Sequence, residues 1–440
     1  MKEKCFRAYP EYRESGIEWL GKVPAHWQVK KLKYLIKKIE SGNRENKTIS
    51  DNEKIFSLGG EHIGWSGEIY RRLNKYISKR FYENLKSGKI KKDDILLVKD
   101  GATIGKCAIV KGIPFGMAAV NEHVYILRSN DEVISEFLFY LIHSYVGQIQ
   151  ILNQIRGSAQ GGLNSQFVGN VIFTAMPINE QEKIAGFLDK KTGRIDYLIG
   201  KKERMIELLK EQRTAVIHRA VTRGLDPDAP MKDSGIGWLG KIPRHWQIKK
   251  AKWIFKEIDE RSKTGSEELL SVSHYTGVTP RSEKNVYMFK AESYVDYKLC
   301  IKNDLVINIM WAWMGALGFS PQTGIVSSAY YVFRLKDKEK FNTSYLDYLV
   351  RTPVYVAEYT KRSKGIHSSR WRLYPDEFFQ ILFPIPPFDE QKLIVEYIKD
   401  KINKIDNAIS KTGKQIELLK EYRQKLISDA VTGKIDLREE

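Results

Sequence analysis

The stretch from Glu180 to Val221 constrains this chain most, because it reads as one uninterrupted helix. Leu188, Ile195, Leu209 and Val216 fall seven or fourteen residues apart, and Ile199 and Ile206 flank them four residues on, so one face carries a continuous apolar stripe. Lysines, arginines and glutamates fill the other face, and no proline interrupts the run. A helix of about 40 residues would extend roughly 60 Å at ~1.5 Å per residue. That exceeds the ~8–20 residues usual in a globular fold, so a partner helix is required.

The sequence supplies one. Glu390 to Val431 has the same phase at a shift of 210 (391 − 181), which sets Leu188 on Ile398, Ile195 on Ile405, Leu209 on Leu419 and Val216 on Leu426. Ile409 and Ile416 then match Ile199 and Ile206, and the flaw in the stripe repeats as Lys202 and Thr412. The expectation is two long helices packed side by side.

A second duplication fixes the order of parts. SGIEWLGKVPAHWQVKK at Ser15–Lys31 returns as SGIGWLGKIPRHWQIKK at Ser234–Lys250. The expected divisions are a globular domain over 1–178, a long helix over 179–222, a second globular domain over 223–387 and a second long helix over 388–440. Residues 223–235, rich in glycine and proline, form the linker that ends the first helix. Weaker echoes continue within. Lys91–Lys106 matches Ile301–Ala316 as an Asp turn, an apolar strand and a glycine turn; Phe137–Ile142 matches Tyr345–Val350 as a short helix; Arg156–Gln166 occupies the place of Ser363–Leu373. Strands mixed with short helices predict α/β or α+β domains with a bent sheet. The sheet topology does not follow from this.

The formal charge of +19 and pI near 9.4 favour a polyanionic partner. Cys5, Cys107 and Cys300 are isolated, which argues against a disulfide framework or a zinc site. The N-terminus has no apolar signal core, and Leu305–Phe319 falls short of a membrane span and reads as a buried strand and turn. No membrane association and a cytoplasmic location are expected.

Motifs for chemistry are incomplete. Gly101–Cys107 (GATIGKC) is one residue short of a phosphate loop and ends in Cys where Ser or Thr must hold magnesium. Pro386-Pro387-Phe388 is preceded by Ile385, which lacks the polar side chain of an amino-methyltransferase motif, and no glycine-rich adenosylmethionine loop accompanies it. Glu45-Asn46-Lys47 is an ExK triplet without assignable companion carboxylates. His26 and His245 recur inside the Pro-x-His-Trp repeat and read as buried, hydrogen-bonded structural histidines. No catalytic residue and no metal ligand is assigned.

What remains is a basic surface with polar loops. In the first domain Arg71, Arg72 and Lys75 fall among aromatics, and Arg156, Gln160, Asn164 and Gln166 lie on a glycine-rich loop. In the second, Arg362, Lys364, His367, Ser368, Arg370 and Arg372 crowd around Trp371. Cations neutralise phosphates, while Arg, Gln and Asn can read base edges through paired hydrogen bonds. The same residues also fit ordinary solvated loops. The repeats keep their framework and differ in these loops, as suits two modules recognising different things.

With these features in order, the chain resembles the specificity subunits of type I restriction–modification systems over essentially its whole length. The carriers are the duplicated SGIxWLGxxPxHWxxKK starts, the helix entries Pro177–Gln181 and Pro387–Gln391, and the long helices ending in Ala-Val-Thr at 220–222 and 430–432. The first entry departs slightly, with Met176 where the second copy has Pro386. The resemblance implies two recognition domains, each reading half of a split site in double-stranded DNA, and an antiparallel helix pair that separates them and docks two modification subunits. It implies no cofactor on this chain. S-adenosylmethionine, ATP and magnesium belong to partner subunits, including a restriction and translocase subunit where present. A structural protein joining two modules that do not bind DNA is the alternative, and a fused methyltransferase or nuclease comes third.

Overall fold

The computed structural model describes residues 6–45, 54–70, 75–112, 116–155, 161–283, 293–366 and 371–439. The chain divides into two compact units, Met1–Glu203 with Gly413–Glu440, and Arg204–Thr412.

In the first unit a four-stranded antiparallel sheet runs in the order Ile36–Ser41, Val124–Ser129, Ile95–Val98, Cys107–Ile109. Every residue of Ile95–Val98 is buried, because the sheet is covered on both faces. Alternation splits the strand between two cores. Ile95 and Leu97 face a cluster with Trp27, Phe137 and Leu188, while Leu96 and Val98 face Phe56 and Val120. The second unit repeats this with Phe255–Ile258, Tyr331–Leu335, Leu305–Ile307 and Leu317–Phe319 in the same order, and Leu305 and Ile307 are parted from Val306 in the same way. The apolar run from Leu305 is thus a buried strand followed by a turn, and the short helices are Ser135–His143 and Thr343–Val350.

The sheet's polar edge is duplicated as well. Asp94 and Asp304 are both buried. Arg128 grips Asp94 through Nε and Nη2 at 2.7 and 3.0 Å, and Arg334 grips Asp304 at 2.9 Å through each. The spare capacity of each carboxylate accepts a backbone N–H three residues back, from Lys91 and Ile301. The two-pronged guanidinium suits a planar carboxylate, which is how such charges survive burial.

The long helices span Ile178–Arg223 and Phe388–Val431. Gly224 and Gly433 follow their ends with φ of +75° and +77°, the left-handed conformation that closes a helix. Each start is fixed by the Glu-Gln pair. Gln181 donates to the carbonyls of Glu132 and Met176 and accepts from the Ile134 N–H. Gln391 does the same with Lys340, Pro386 and Asn342. Of the stripe, Leu188, Ile195, Ile398, Ile405, Ile416 and Leu426 are buried; Ile199, Ile206, Leu209, Val216, Ile409 and Leu419 are half-buried. In the first unit Leu188 and Ile195 share a core with Leu426 and Ile427, and Lys202 donates to Gln415. In the second, Ala220 and Val221 share a core with Ile394, Ile398 and Ile402, and Arg213 pairs with Asp406.

Arg423, on the second long helix, is buried in the first unit. It bonds His143 Nε2 at 2.8 Å, the Ser66 carbonyl at 2.9 Å and Asp196 at 2.9 Å. Burial and the Arg423 charge push the His143 imidazole down to about 3, against roughly 6.5 in an unfolded chain. Between those values the unfolded chain binds a proton that the folded chain does not. The contribution of the neutral imidazole is therefore complete above pH ~6.5 and declines as pH falls toward 3. Replacing His143 with Gln should make the acid-side loss of stability shallower by close to one proton. Denaturant unfolding at a series of pH values tests this, and an unchanged slope would mean that His143 is already charged in the folded protein.

Candidate nucleic-acid interface

The unlike loops are pinned to the duplicated framework at equivalent points. Leu163 N–H donates to the Lys99 carbonyl at 2.8 Å, and Leu373 N–H donates to the Ile309 carbonyl at 3.3 Å. Both leucines are buried. The described end of each loop is thus held beside the turn that follows a central sheet strand, with its leucine turned into the core. In the second unit Lys364 and Arg372 exchange both backbone hydrogen bonds, at 2.9 and 3.0 Å, and close a hairpin. Ile366 on that hairpin is 88 % exposed.

The predicted site residues separate by what they touch. Arg71, Arg72, Arg156, Gln160, His367, Ser368 and Arg370 lie outside the described residues. Lys75 pairs with Glu61. Asn164 caps the short helix Ser165–Gly169 by accepting from the Gln166 N–H at 3.0 Å, while the Gln166 side chain is exposed. Arg362 bonds Glu358 at 2.6 Å, and Lys364 bonds Glu377 at 2.6 Å. That bond to Lys364 holds the Glu377 carboxyl below the usual range. Arg372 is exposed at the hairpin's base.

The turn after Leu305–Ile307 adds residues that sequence reasoning passed over. Trp311 and Trp313 stack at 6.4 Å and 12°, and Trp313 meets Trp371 edge-on at 5.7 Å. In sequence these tryptophans are absorbed in an apolar run. The signal available was the Gly-containing turn beside them, since a turn leaves large side chains outside the core. In the first unit Lys106, at the end of the corresponding turn, stands over the ring of Trp65 from another connection, at 5.6 Å. The lysine of the GATIGKC stretch is therefore engaged by an indole.

The paired histidines differ from expectation in one respect. His26 Nε2 lies 2.8 Å from Glu180 Oε2 and His245 Nε2 lies 2.7 Å from Glu390 Oε2, so both are hydrogen-bonded. They are not buried: their side chains are 41 % and 50 % exposed. The buried member is the neighbouring tryptophan, Trp27 or Trp246, whose indole N–H donates to the other oxygen of the same glutamate. A tryptophan offers a large apolar body and one donor, so it takes the interior while the histidine closes the rim. Glu45 of the ExK triplet accepts from the Ser78 N–H and hydroxyl. Among the described residues no group of three or more His, Cys, Asp or Glu is set to hold a metal ion, and no helix is long and apolar enough to cross a membrane.

The pairing separates framework from surface in a testable way. Arg362→Ala would strand the buried Glu358 and should cost on the order of 3 kcal/mol, whereas Arg372→Ala should stay within about 0.5 kcal/mol of the parent. Thermal melts of the two variants compare them directly, and equal losses would contradict the division.

Comparison with known proteins bears on the same framework. The family model for the type I restriction modification DNA specificity domain matches twice, over residues 24–207 and 243–419. The chain is 24 % identical to the type I restriction enzyme MjaVIII specificity subunit of Methanocaldococcus jannaschii, covering 97 % of each protein. It is 23 % identical to the putative MjaX specificity subunit of that organism, over 97 % of this chain and 98 % of the other. A solved chain from work on complex assembly and conformational transition of the type I R-M system aligns with a TM-score of 0.68 at 15 % identity, over 93 % of this chain and 98 % of that one. The HsdS subunit from Thermoanaerobacter tengcongensis aligns with a TM-score of 0.53 at 15 % identity, over 94 % and 98 %. These two likenesses speak for the fold. The two family matches reproduce the internal repeat and together take in most of the sequence, so this protein belongs to the type I restriction modification DNA specificity family.

Proposed function

We propose that this chain is the DNA specificity subunit of a type I restriction–modification complex, and that each globular domain reads one half of a bipartite site in double-stranded DNA. The observation that carries this is the contrast between a duplicated frame and unlike loops pinned to it at Leu163 and Leu373. A shared scaffold with different reading residues gives two half-sites of different sequence. The net charge of +19 supplies sequence-independent attraction to phosphates, and the loops supply discrimination.

In this reading residues 1–178 and 223–387 are the recognition domains, with 223–235 as linker, and 179–222 and 388–440 are spacer helices. The helices form an antiparallel coiled-coil-like pair, a reading supported within each unit by contacts of the early residues of one helix with the late residues of the other. They set the spacer and dock two modification subunits. Methyl transfer from S-adenosylmethionine, and any ATP-driven, magnesium-dependent translocation and cleavage, belong to partners. The chain acts as a non-catalytic component in the cytoplasm. The test is methylation mapping: DNA should be methylated at a bipartite site when this chain is combined with its modification subunits, and should stay unmodified with this chain alone. Methyl transfer by the isolated chain would overturn the reading.

Two further outcomes follow. Arg156→Ala with Gln160→Ala should relax one half-site, and His367→Ala with Arg370→Ala the other, each by roughly 1–3 kcal/mol per base-reading pair. Competition binding with half-site mutants measures this, and a shift at the same half-site in both variants would contradict the assignment. Inserting seven residues after Leu209 and seven after Leu419 should lengthen the spacer or abolish recognition, since each helix grows by about 10 Å, near the rise of three base pairs. Full activity at the original spacing would show that the helices do not set it.

A further inference from the structure

The turn after the central sheet strand is built alike in the two units and tipped with opposite chemistry. The Val98 N–H donates to the Lys106 carbonyl at 2.8 Å, and the Asn308 N–H to the Ala316 carbonyl at 3.0 Å. Within the turn the Ile104 N–H donates to the Gly101 carbonyl, and the Met314 N–H to the Trp311 carbonyl. Gly105 and Gly315 then take left-handed φ of +94° and +87°. One shift of 210 (308 − 98) relates every pair, so the positions compare directly. At the tip the first unit has Asp100 and Gly101, and the second has Met310 and Trp311.

In the second unit the tip is kept out of the core and held firmly. Asn308 is buried; its side-chain oxygen accepts from the Met310 N–H at 3.2 Å, and its amide donates to the Tyr330 hydroxyl at 2.9 Å. Trp313 is fixed at three points. Its indole N–H donates to the Met310 carbonyl, its own carbonyl accepts from the Thr360 hydroxyl, and Trp371 meets its ring edge-on. Trp311 lies within 12° of parallel to that anchored ring, yet it is 48 % exposed, and Met310 is 38 % exposed. The Leu373 N–H ties this turn to the hairpin in which the repeats differ, and Arg372 is exposed at the hairpin's base. No charged residue lies in the turn from 309 to 316.

We propose that Trp311, with Met310 beside it, reads a thymine through its methyl group in the half-site of the second unit, an inference that rests on the DNA-recognition reading above. In an intact duplex the base faces are closed in the stack, and only the edges are open in the grooves. The thymine methyl is the apolar group among those edges; the other readable positions are hydrogen-bond donors and acceptors. A thioether and the face of an indole match a methyl group and offer little to the rest. In the first unit Asp100 is engaged by Lys99 and His123 at 3.0 and 3.3 Å, and neither tip position carries an apolar side chain. The contact made by this turn therefore belongs to one half-site.

The test uses the full chain with its modification subunits on their mapped bipartite site, read by competition binding. Each thymine of the site is replaced in turn by deoxyuridine, which removes the methyl group and keeps the base pair. One replacement should weaken binding about fourfold, the worth of one buried methyl-sized group. Trp311→Ala should erase that penalty, bringing the ratio of thymine to deoxyuridine affinity near one, and Trp311→Phe should keep it. Discrimination at the other half-site should be the same in all three proteins, which shows that the variants fold. The absence of any penalised thymine, or a penalty unchanged in Trp311→Ala, would overturn the proposal. So would a Trp311-dependent unstacking of the site, read with a fluorescent adenine analogue, since it marks a wedge between bases. A Trp311→Ala defect confined to assembly with the modification subunits would overturn it in favour of a protein contact. Equal affinity for the mapped site and a scrambled duplex would instead overturn DNA reading itself, so the two failures are told apart.

Discussion

The two halves of this molecule both hang on one carboxylate. Glu180 and Glu390 sit in the first turn of a long helix and receive an indole N–H and an imidazole from the start of their own repeat, more than a hundred residues upstream. A carboxylate there is favoured by the unpaired N–H groups and positive dipole of the helix start. The adjacent glutamine satisfies two carbonyls and one N–H that would otherwise be left without partners in the interior. Helix direction, the edge strand and the core tryptophan are thereby fixed together. The edge strands confirm this coupling: Ile172–Ala175 pairs with Gln28–Lys31, and Leu382–Ile385 with Gln247–Lys250, in matching register.

Much of this was legible because the frame is duplicated. A lone amphipathic stripe has several structural explanations, but two stripes at a shift of 210 with the same flaw restrict them strongly. Phe137–Ile142 and Tyr345–Val350 were readable as short helices for a similar reason, and Leu305–Phe319 as strand and turn. The sheet order was not readable, since antiparallel pairing between Ile95–Val98 and Val124–Ser129 leaves no local mark beyond apolar alternation. The burial of His26 and His245 was misjudged because position in a repeat reveals a hydrogen-bonding role without saying which ring takes the interior. Asn164 shows the limit for sites. Its chemistry suits a base edge and equally suits a helix cap, and only the position of the Gln166 N–H shows that it caps.

The repeats share connectivity and differ in finish. Arg423 is enclosed by a histidine, a carbonyl and a carboxylate, whereas Arg213 stands partly in solvent. The difference traces to the length of one connection in each domain, from 59 to 75 against 274 to 276. A long connection allows the first domain to cover its own helix with glycines where the Phe139 ring leaves no room for a side chain. A short one leaves the same surface charged and open. The two skeletons share the hydrogen bonds that buried backbone requires, while the connection that covers surface differs between them.

The residues after the second long helix close on the first unit. Asp436 N–H donates to the Arg7 carbonyl, the Tyr12 hydroxyl to the Gly433 carbonyl, and the Thr174 hydroxyl to the Val431 carbonyl. The first unit therefore joins residues that precede the second unit to residues that follow it, while the second unit is contiguous from Arg204 to Thr412. Synthesis at ~5–20 residues per second leaves the first unit without its closing segment for tens of seconds. During that interval Leu188, Ile195 and the Trp27 core lack the apolar cover of Leu426, Ile427 and Leu437. The nascent first unit thus keeps an unfinished hydrophobic surface until the segment from Gly413 onward is made, so the unit that is begun before the other is completed after it.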